Sequence, residues 1–201
     1  MKVMVTVVGL GNPGKEYEQT RHNVGRMIVE DVALYFGVRE WKEDKKKVAL
    51  VASGGTGKEK IEYILPETFM NKSGKSLAHL KGGVKKIENT IVIHDDLDMP
   101  VGSAKMLFNR GDGGHKGVIS INKSIGSKAY VRIKIGISKT TPAGNIKKPK
   151  GEEAVQKHVL GEFSLDELKI IKKISKGVAE ALELFMGDGR AKAQTIFNSR
   201  Y

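Results

Sequence analysis

Four stretches of the chain place polar side chains where a strand or helix should end. They are Gly11-Asn-Pro-Gly14, Thr20-Arg-His-Asn-Val24, Thr68-Phe-Met-Asn71 and His94-Asp-Asp-Leu-Asp98. A fifth, Gly113-Gly-His-Lys-Gly117, opens a helix. His22 falls at or just before a helix N-terminus, where the macrodipole disfavours the imidazolium and keeps the ring able to accept a proton. A carboxylate beside it would do the reverse and would also fix its tautomer. Asp95, directly after the apolar run Ile91–Ile93, is the natural partner, and the pair would form a general base able to activate water. Taken singly, His22 reads more readily as a capping or surface histidine, and Asp95 and Asp96 as a pair of turn residues. Asn12 and Asn71 supply uncharged amide donors suited to a carbonyl and its developing oxyanion. Turn chemistry for Asn12 in N-P-G and helix capping for Asn71 are the alternatives. The short spacing of His94, Asp95, Asp96 and Asp98 suits Mg²⁺ poorly, so no metal is expected. The sequence has no G-x-S-x-G elbow and no cysteine to act as a nucleophile.

Gly9-Leu-Gly-Asn-Pro-Gly14 matches G-x-G-x-x-G and follows the apolar run Val3–Val8. A dinucleotide loop works by starting a helix at once, so that its first amides meet the pyrophosphate. Here the helical pattern begins only near His22–Val24, and Pro13 removes an amide from the loop. The acidic residue expected ~20 positions on should end a second strand. Glu30 and Asp31 lie inside the helical pattern instead. The loop is therefore expected to turn tightly at the end of a strand and present Asn12 where α/β proteins build their sites.

The elements that must hold these groups alternate. Strands are expected at Val3–Val8, Val48–Ala52, Glu62–Leu65, Ile91–Ile93, Ala104–Phe108 and Tyr130–Ile137, with a glycine-rich turn at Ser53–Gly57. Helical spacing runs from Val24 to Tyr35 and stops at Gly37, and Ser73–Leu80 is a short helix ended by Gly82-Gly83. Another helix follows Gly113–Gly114. Ser138–Gly151, rich in Lys, Pro and Gly, reads as a mobile surface loop. Ser164-Leu-Asp-Glu167 is a capping box opening a long amphipathic helix that ends at Gly187. Asp188 is placed to cap a last helix reaching about Phe197. The class is α/β: a single-domain three-layer sandwich, residues 1–201, with a twisted mixed sheet flanked by helices.

The chain has 201 residues, with 35 Lys and Arg against 23 Asp and Glu, a net charge of +12. Such an excess favours an anionic partner, nucleic acid before membrane. Lys105, Arg110, Lys116, Lys134 and the Lys147–Lys150 run are candidate phosphate contacts, with solvated surface lysines as the alternative. With no cysteine, no apolar run near the ~20 residues that span a bilayer, and no signal-peptide pattern, a cytoplasmic protein is expected.

The stretches "VGLGNPGKEYEQTRHNVG", "PETFMNKSGKS", "HDDLDMPVGSAK", "GGHKG" and "RIKIGI", in this order, resemble the bacterial-type peptidyl-tRNA hydrolases. The resemblance implies an α/β sandwich, usually monomeric, that hydrolyses the ester between a peptide and the 3′-terminal ribose of tRNA, with no cofactor or metal. It implies His22 as the catalytic base and Asp95 as the carboxylate that holds it. It implies that Asn12 helps discriminate peptidyl from aminoacyl ends, that Asn71 binds near the reacting carbonyl, and that Tyr17 and Phe69 line the tRNA 3′ end. Lys105 and Lys134 fall where the family places basic contacts to tRNA phosphate, and Arg110 is a further candidate. Two positions depart from the pattern. Lys116 stands where asparagine is usual, and Leu107 where a further basic residue is common. A lysine cannot accept a hydrogen bond. It either turns outward toward an RNA phosphate, leaving an active enzyme, or impairs the site, leaving a non-catalytic RNA-binding relative. A nucleotide-dependent enzyme using the glycine loop is the remaining alternative.

Overall fold

A computed structural model describes residues 4–55 and 59–201. The first strand, β1 (Met4–Gly9), leads through two short 3-10 turns, Lys15–Tyr17 and Arg21–Asn23, into α1 (Val24–Tyr35). Then follow β2 (Lys42–Asp44), β3 (Ala49–Gly54), β4 (Lys60–Pro66), a 3-10 helix over Met70–Leu80, and α2 (Val84–Glu88). The chain continues through β5 (Thr90–Pro100), β6 (Ala104–Phe108), α3 (Lys116–Ile125) and β7 (Val131–Ser138). It finishes with α4 (Glu152–Val159), α5 (Leu165–Asp188) and α6 (Arg190–Arg200).

The seven strands form one mixed sheet in the order β2-β3-β4-β1-β5-β7-β6. The central strands are parallel: β1 lies between β4 and β5, and β7 runs parallel to β5. The outer pairs β2/β3, β3/β4 and β6/β7 are antiparallel. Alternation along β1 sorts the core into two layers. Val5 and Val7 pack with Ile28 and Val32 of α1, Val178 and Leu182 of α5, and Phe197 of α6. Val8 faces the other way, toward Leu77 and Leu80 of the 3-10 helix, Ile87 of α2, and Val118 and Ile121 of α3. The sandwich has the three layers expected.

Glycines bring α1 onto the sheet. A Cβ on Gly25 would lie 2.2 Å from the Ile93 carbonyl oxygen, and one on Gly9 would lie 2.6 Å from the Gly25 carbonyl oxygen. The glycine loop thus serves backbone-to-backbone packing, which places the start of α1 directly over β5.

Several boundaries differ from those the sequence suggests. β5 does not end at Ile93 but continues through His94–Asp98, so those polar residues are part of the sheet. The Ser73–Leu80 helix is a 3-10 helix beginning at Met70. β2, α2 and α4 carry too little periodicity to be anticipated. The long helix runs to Asp188, and Gly189, at φ 87°, separates it from α6, so Asp188 is not that helix's cap. Val3 and part of the Ser53–Gly57 turn lie outside the described residues. The capping box at Ser164 and Glu167 forms as expected.

The β6 edge of the sheet is capped at Met106. Asn198 of α6 accepts from the Met106 amide at 2.7 Å and donates to the Met106 carbonyl at 3.0 Å. At the other edge, β2 is three charged residues, Lys42-Glu43-Asp44.

Candidate active site

His22 reaches the sheet on the Arg21–Asn23 turn, and its two neighbours anchor that turn. Arg21 is buried beneath it. Its guanidinium donates to the Ile137 carbonyl at 3.1 Å and to both Glu167 carboxylate oxygens at 2.8 and 2.9 Å, and lies over the Phe163 ring. Asn23, also buried, accepts from the Asn12 amide at 2.8 Å and donates to the Asn12 carbonyl at 2.9 Å. The turn is therefore tied on one side to β7 and α5 and on the other to the glycine loop.

The His22 Nδ1 sits 2.9 Å from Asp95 Oδ1. A second imidazole, His115, places its Nε2 2.8 Å from the same oxygen. His115 caps α3, its Nδ1 accepting from the Gly117 and Val118 amides at 3.2 and 3.3 Å. That fixes its tautomer: Nδ1 is the acceptor, so Nε2 carries the proton given to Asp95. Burial opposes the Asp95 charge, but the two imidazoles, through charge and hydrogen bonds, hold its carboxyl well below the usual carboxylate range. With Asp95 ionised, the His22 Nδ1 must be the donor, and the neutral ring keeps its free lone pair on Nε2.

Burial also works against a charged His22, yet the carboxylate outweighs it, and the pKa of His22 stands above the ordinary histidine value. The dipole-based expectation of a disfavoured imidazolium is thus reversed by Asp95. Beside them His94 is buried, its Nδ1 bonded to the Asp95 carbonyl at 2.7 Å and its ring centroid 4.6 Å from that of His115. Burial, and then the proximity of His115, push its pKa well down.

These groups form the floor of a cleft of about 550 Å³. Asn12, Tyr17, Phe69, Asn71, Lys116 and Lys134 all line it, joining six of the residues singled out in the sequence to His22 and Asp95. Asn12 is buried, and its Oδ1 accepts from the Met70 amide at 2.9 Å, which turns its Nδ2 donors toward other partners. Asn71 is exposed within the 3-10 helix and is not its cap, since the N-cap position belongs to Phe69. Tyr17 and the exposed Phe69 meet edge to face at 6.5 Å. Lys134 pairs with Asp96. Lys105 lies across from Lys134 on β6, exposed, and neither it nor Arg110 lines the cleft. Lys116 projects outward, 69% exposed, its Nζ 3.5 Å from Glu152 of α4.

Sequence reasoning gave no role to His115, Asn23 or Arg21. The stretch "GGHKG" signalled a helix start, and a histidine at that point is the trace that His115 leaves in the sequence. Together His22, Asp95 and His115 bring three metal-type donor atoms within 4.8 Å of one another. Asp95 Oδ1 stands 2.9 and 2.8 Å from the two imidazole nitrogens, tighter than the roughly 3.3 Å between ligands set tetrahedrally 2.0–2.1 Å from zinc. His115 Nε2 also already carries a proton. The set fits a proton-holding network better than a metal centre. The four residues weighed for a metal in the sequence do not converge: Asp96 pairs with Lys134 and Asp98 with Lys148.

An α/β sandwich with a histidine–carboxylate pair in a cleft at the C-terminal ends of its central strands is the architecture of a hydrolytic or other general-base site. The family model for peptidyl-tRNA hydrolase matches residues 6–201, and the chain belongs to that family. It is 36% identical over 195 residues to the peptidyl-tRNA hydrolase of Geobacter sp. strain M21, covering 96% of this chain and 97% of that one. It is 37% identical over 209 residues to that of Thermodesulfovibrio yellowstonii, covering 97% and 99%. The crystal structure of peptidyl-tRNA hydrolase from Acinetobacter baumannii superposes with a TM-score of 0.84 at 30% identity, covering 99% of this chain and 96% of that one.

Proposed function

We propose that the protein hydrolyses the ester joining a peptide to the 3′-terminal ribose of tRNA, releasing tRNA for reuse. The observation that carries this reading is the His22 Nδ1–Asp95 Oδ1 bond at the floor of a cleft, in a chain of this family. Neutral His22 takes a proton from water at Nε2 as the water oxygen attacks the ester carbonyl. Asp95 stabilises the imidazolium that forms. Asn12 and Asn71 supply uncharged donors for the oxyanion and the adjoining peptide amide. Collapse of the tetrahedral intermediate breaks the bond to the ribose oxygen, which receives the proton back from His22. Water is consumed, and a peptide acid and a free ribose hydroxyl result. The exposed Phe69, with Tyr17 at its edge, offers an aromatic platform for the terminal bases. Lys105, Arg110, Lys116 and Lys134 supply positive charge for phosphate.

The substrate partner is peptidyl-tRNA, and the protein acts as a monomer in the cytoplasm. No helix among the described residues is long and apolar enough to cross a membrane. The outward Lys116 leaves His22, Asp95, Asn12 and Asn71 unobstructed, which favours the enzyme over a non-catalytic RNA-binding relative. The test is release of N-acetylaminoacyl groups from tRNA by the purified protein. Rapid cleavage lost in His22→Ala, with tRNA affinity kept within a few fold, supports the reading. Salt-sensitive tRNA binding with no cleavage overturns it.

A further inference from the structure

Charge around the cleft is mostly committed. Asp95 is shared by two imidazoles, Lys134 is paired with Asp96, and Arg132, buried, donates to the Gly111 carbonyl. Lys148 and Asp98 pair farther out. Lys116 differs. Its only ionic partner among the described residues is Glu152 at 3.5 Å, with side-chain exposures of 69% and 88%. Such an exposed pair contributes little and exchanges freely. Lys116 also lines the same cleft as His22, Asn12 and Asn71, and it follows directly on His115, whose Nε2 lies 2.8 Å from Asp95.

A positive charge beside the base bears on one chemical difference between two abundant esters. In aminoacyl-tRNA the carbon next to the reacting carbonyl carries an α-ammonium. In peptidyl-tRNA the same nitrogen is a neutral amide. The rest of the bound end can be identical. Bringing an ammonium to the carbonyl position places it within the field of Lys116, and the repulsion is present for one ester and absent for the other. Asn12 and Asn71, being uncharged, can recognise the peptide amide but cannot by themselves repel a cation.

We propose that Lys116 is a specificity-determining residue that rejects esters carrying a free α-ammonium, sparing aminoacyl-tRNA while peptidyl-tRNA is cleaved. This rests on the hydrolase reading above. Lys116 takes the position of a hydrogen-bonding asparagine and performs the discrimination by charge. The effect must weaken with salt, because Lys116 is exposed and the field is screened beyond roughly 8–10 Å at 0.1–0.15 M.

The experiment compares three tRNA esters of one scaffold: phenylalanyl, its hydroxy analogue phenyllactyl, and N-acetylphenylalanyl. The first two differ at one position, ammonium against hydroxyl, so their kcat/KM ratio isolates charge from shape. It is measured for the unaltered protein and for Lys116→Arg, Lys116→Gln and Lys116→Glu, all at an exposed first turn of α3. In the unaltered protein phenyllactyl-tRNA is preferred over phenylalanyl-tRNA. Lys116→Arg keeps that preference, Lys116→Gln lowers it about three- to tenfold, and Lys116→Glu lowers it further. The dependence on residue 116 disappears above the pH at which the α-ammonium loses its proton. A ratio that stays the same in Lys116→Gln and Lys116→Glu overturns the inference while leaving the hydrolase reading intact. Failure of the unaltered protein to cleave N-acetylphenylalanyl-tRNA overturns the hydrolase reading and this inference with it.

Discussion

The floor and the rim of the cleft are built on opposite principles. On the floor, His22, Asp95, His115, Asn12 and Asn23 are mostly shielded from water and joined by hydrogen bonds of 2.8–2.9 Å. On the rim, Lys116–Glu152 and Lys148–Asp98 join side chains that are each more than half exposed. The floor has to hold one tautomer and one orientation through the reaction, and buried bonds to fixed partners do that. On the function proposed above, the rim receives a polyanion. In that reading an arriving phosphate displaces its carboxylates at little cost, because the exposed pairs are weak. Buried fixed bonds are therefore concentrated around the His22–Asp95 pair, and exposed exchangeable pairs around the mouth of the cleft.

This contrast breaks most visibly at its centre. His22→Ala lowers kcat by about 10²–10⁴-fold, with tRNA affinity changed only a few fold, in single-turnover and binding assays. Asp95→Asn costs nearly as much, about 10²–10⁴-fold, since the amide no longer enforces the tautomer. It also moves the pH profile. In the unaltered protein the pKa of His22 is raised by Asp95, so kcat/KM climbs with pH through a limb lying above the ordinary histidine value. In Asp95→Asn that limb moves to lower pH, and an unshifted limb would mean that another group titrates.

Arg21→Met tests whether the floor depends on its anchor. It leaves Glu167 without its guanidinium and costs about 3–5 kcal/mol in urea unfolding, with activity falling at temperatures where the turn loosens. Lys148→Gln, on the rim, is the mildest: kcat is unchanged, and the salt slope of tRNA binding falls by roughly one unit at most. A loss of kcat as large as that of Asp95→Asn would erase the distinction between the two regions.

The floor's main pair was legible from the order of the motifs together: singly, His22 reads as a cap or surface histidine and Asp95 as a turn residue, and the family resemblance joins them. The extent of β5 was not legible. A run such as His94-Asp-Asp-Leu-Asp98 has the composition of a loop, and it is tolerated in a strand only because partners arrive from elsewhere. His22 comes from the turn before α1, His115 from α3, and Lys134 from β7. His115 was hidden for the same reason, since its double role as cap and donor exists only once α3 meets β5. Asn23 and Arg21 act through residues 11 and 146 positions away, a separation over which no local pattern carries information. The short α4 has only Val155 and Val159 turned to the interior, too few for a period to emerge beside the lysine-rich segment before it.

Asn198 gives the fold a property unrelated to catalysis. By offering one acceptor and one donor to Met106 it imitates the next strand of the sheet. At Met106 the outward backbone groups of β6 are thereby paired with a side chain. At Met106 the last helix thus withholds the sheet edge from pairing with another strand. Asn198→Leu would keep the helix but uncover Met106, and light scattering during refolding would register the change before any assay of turnover did.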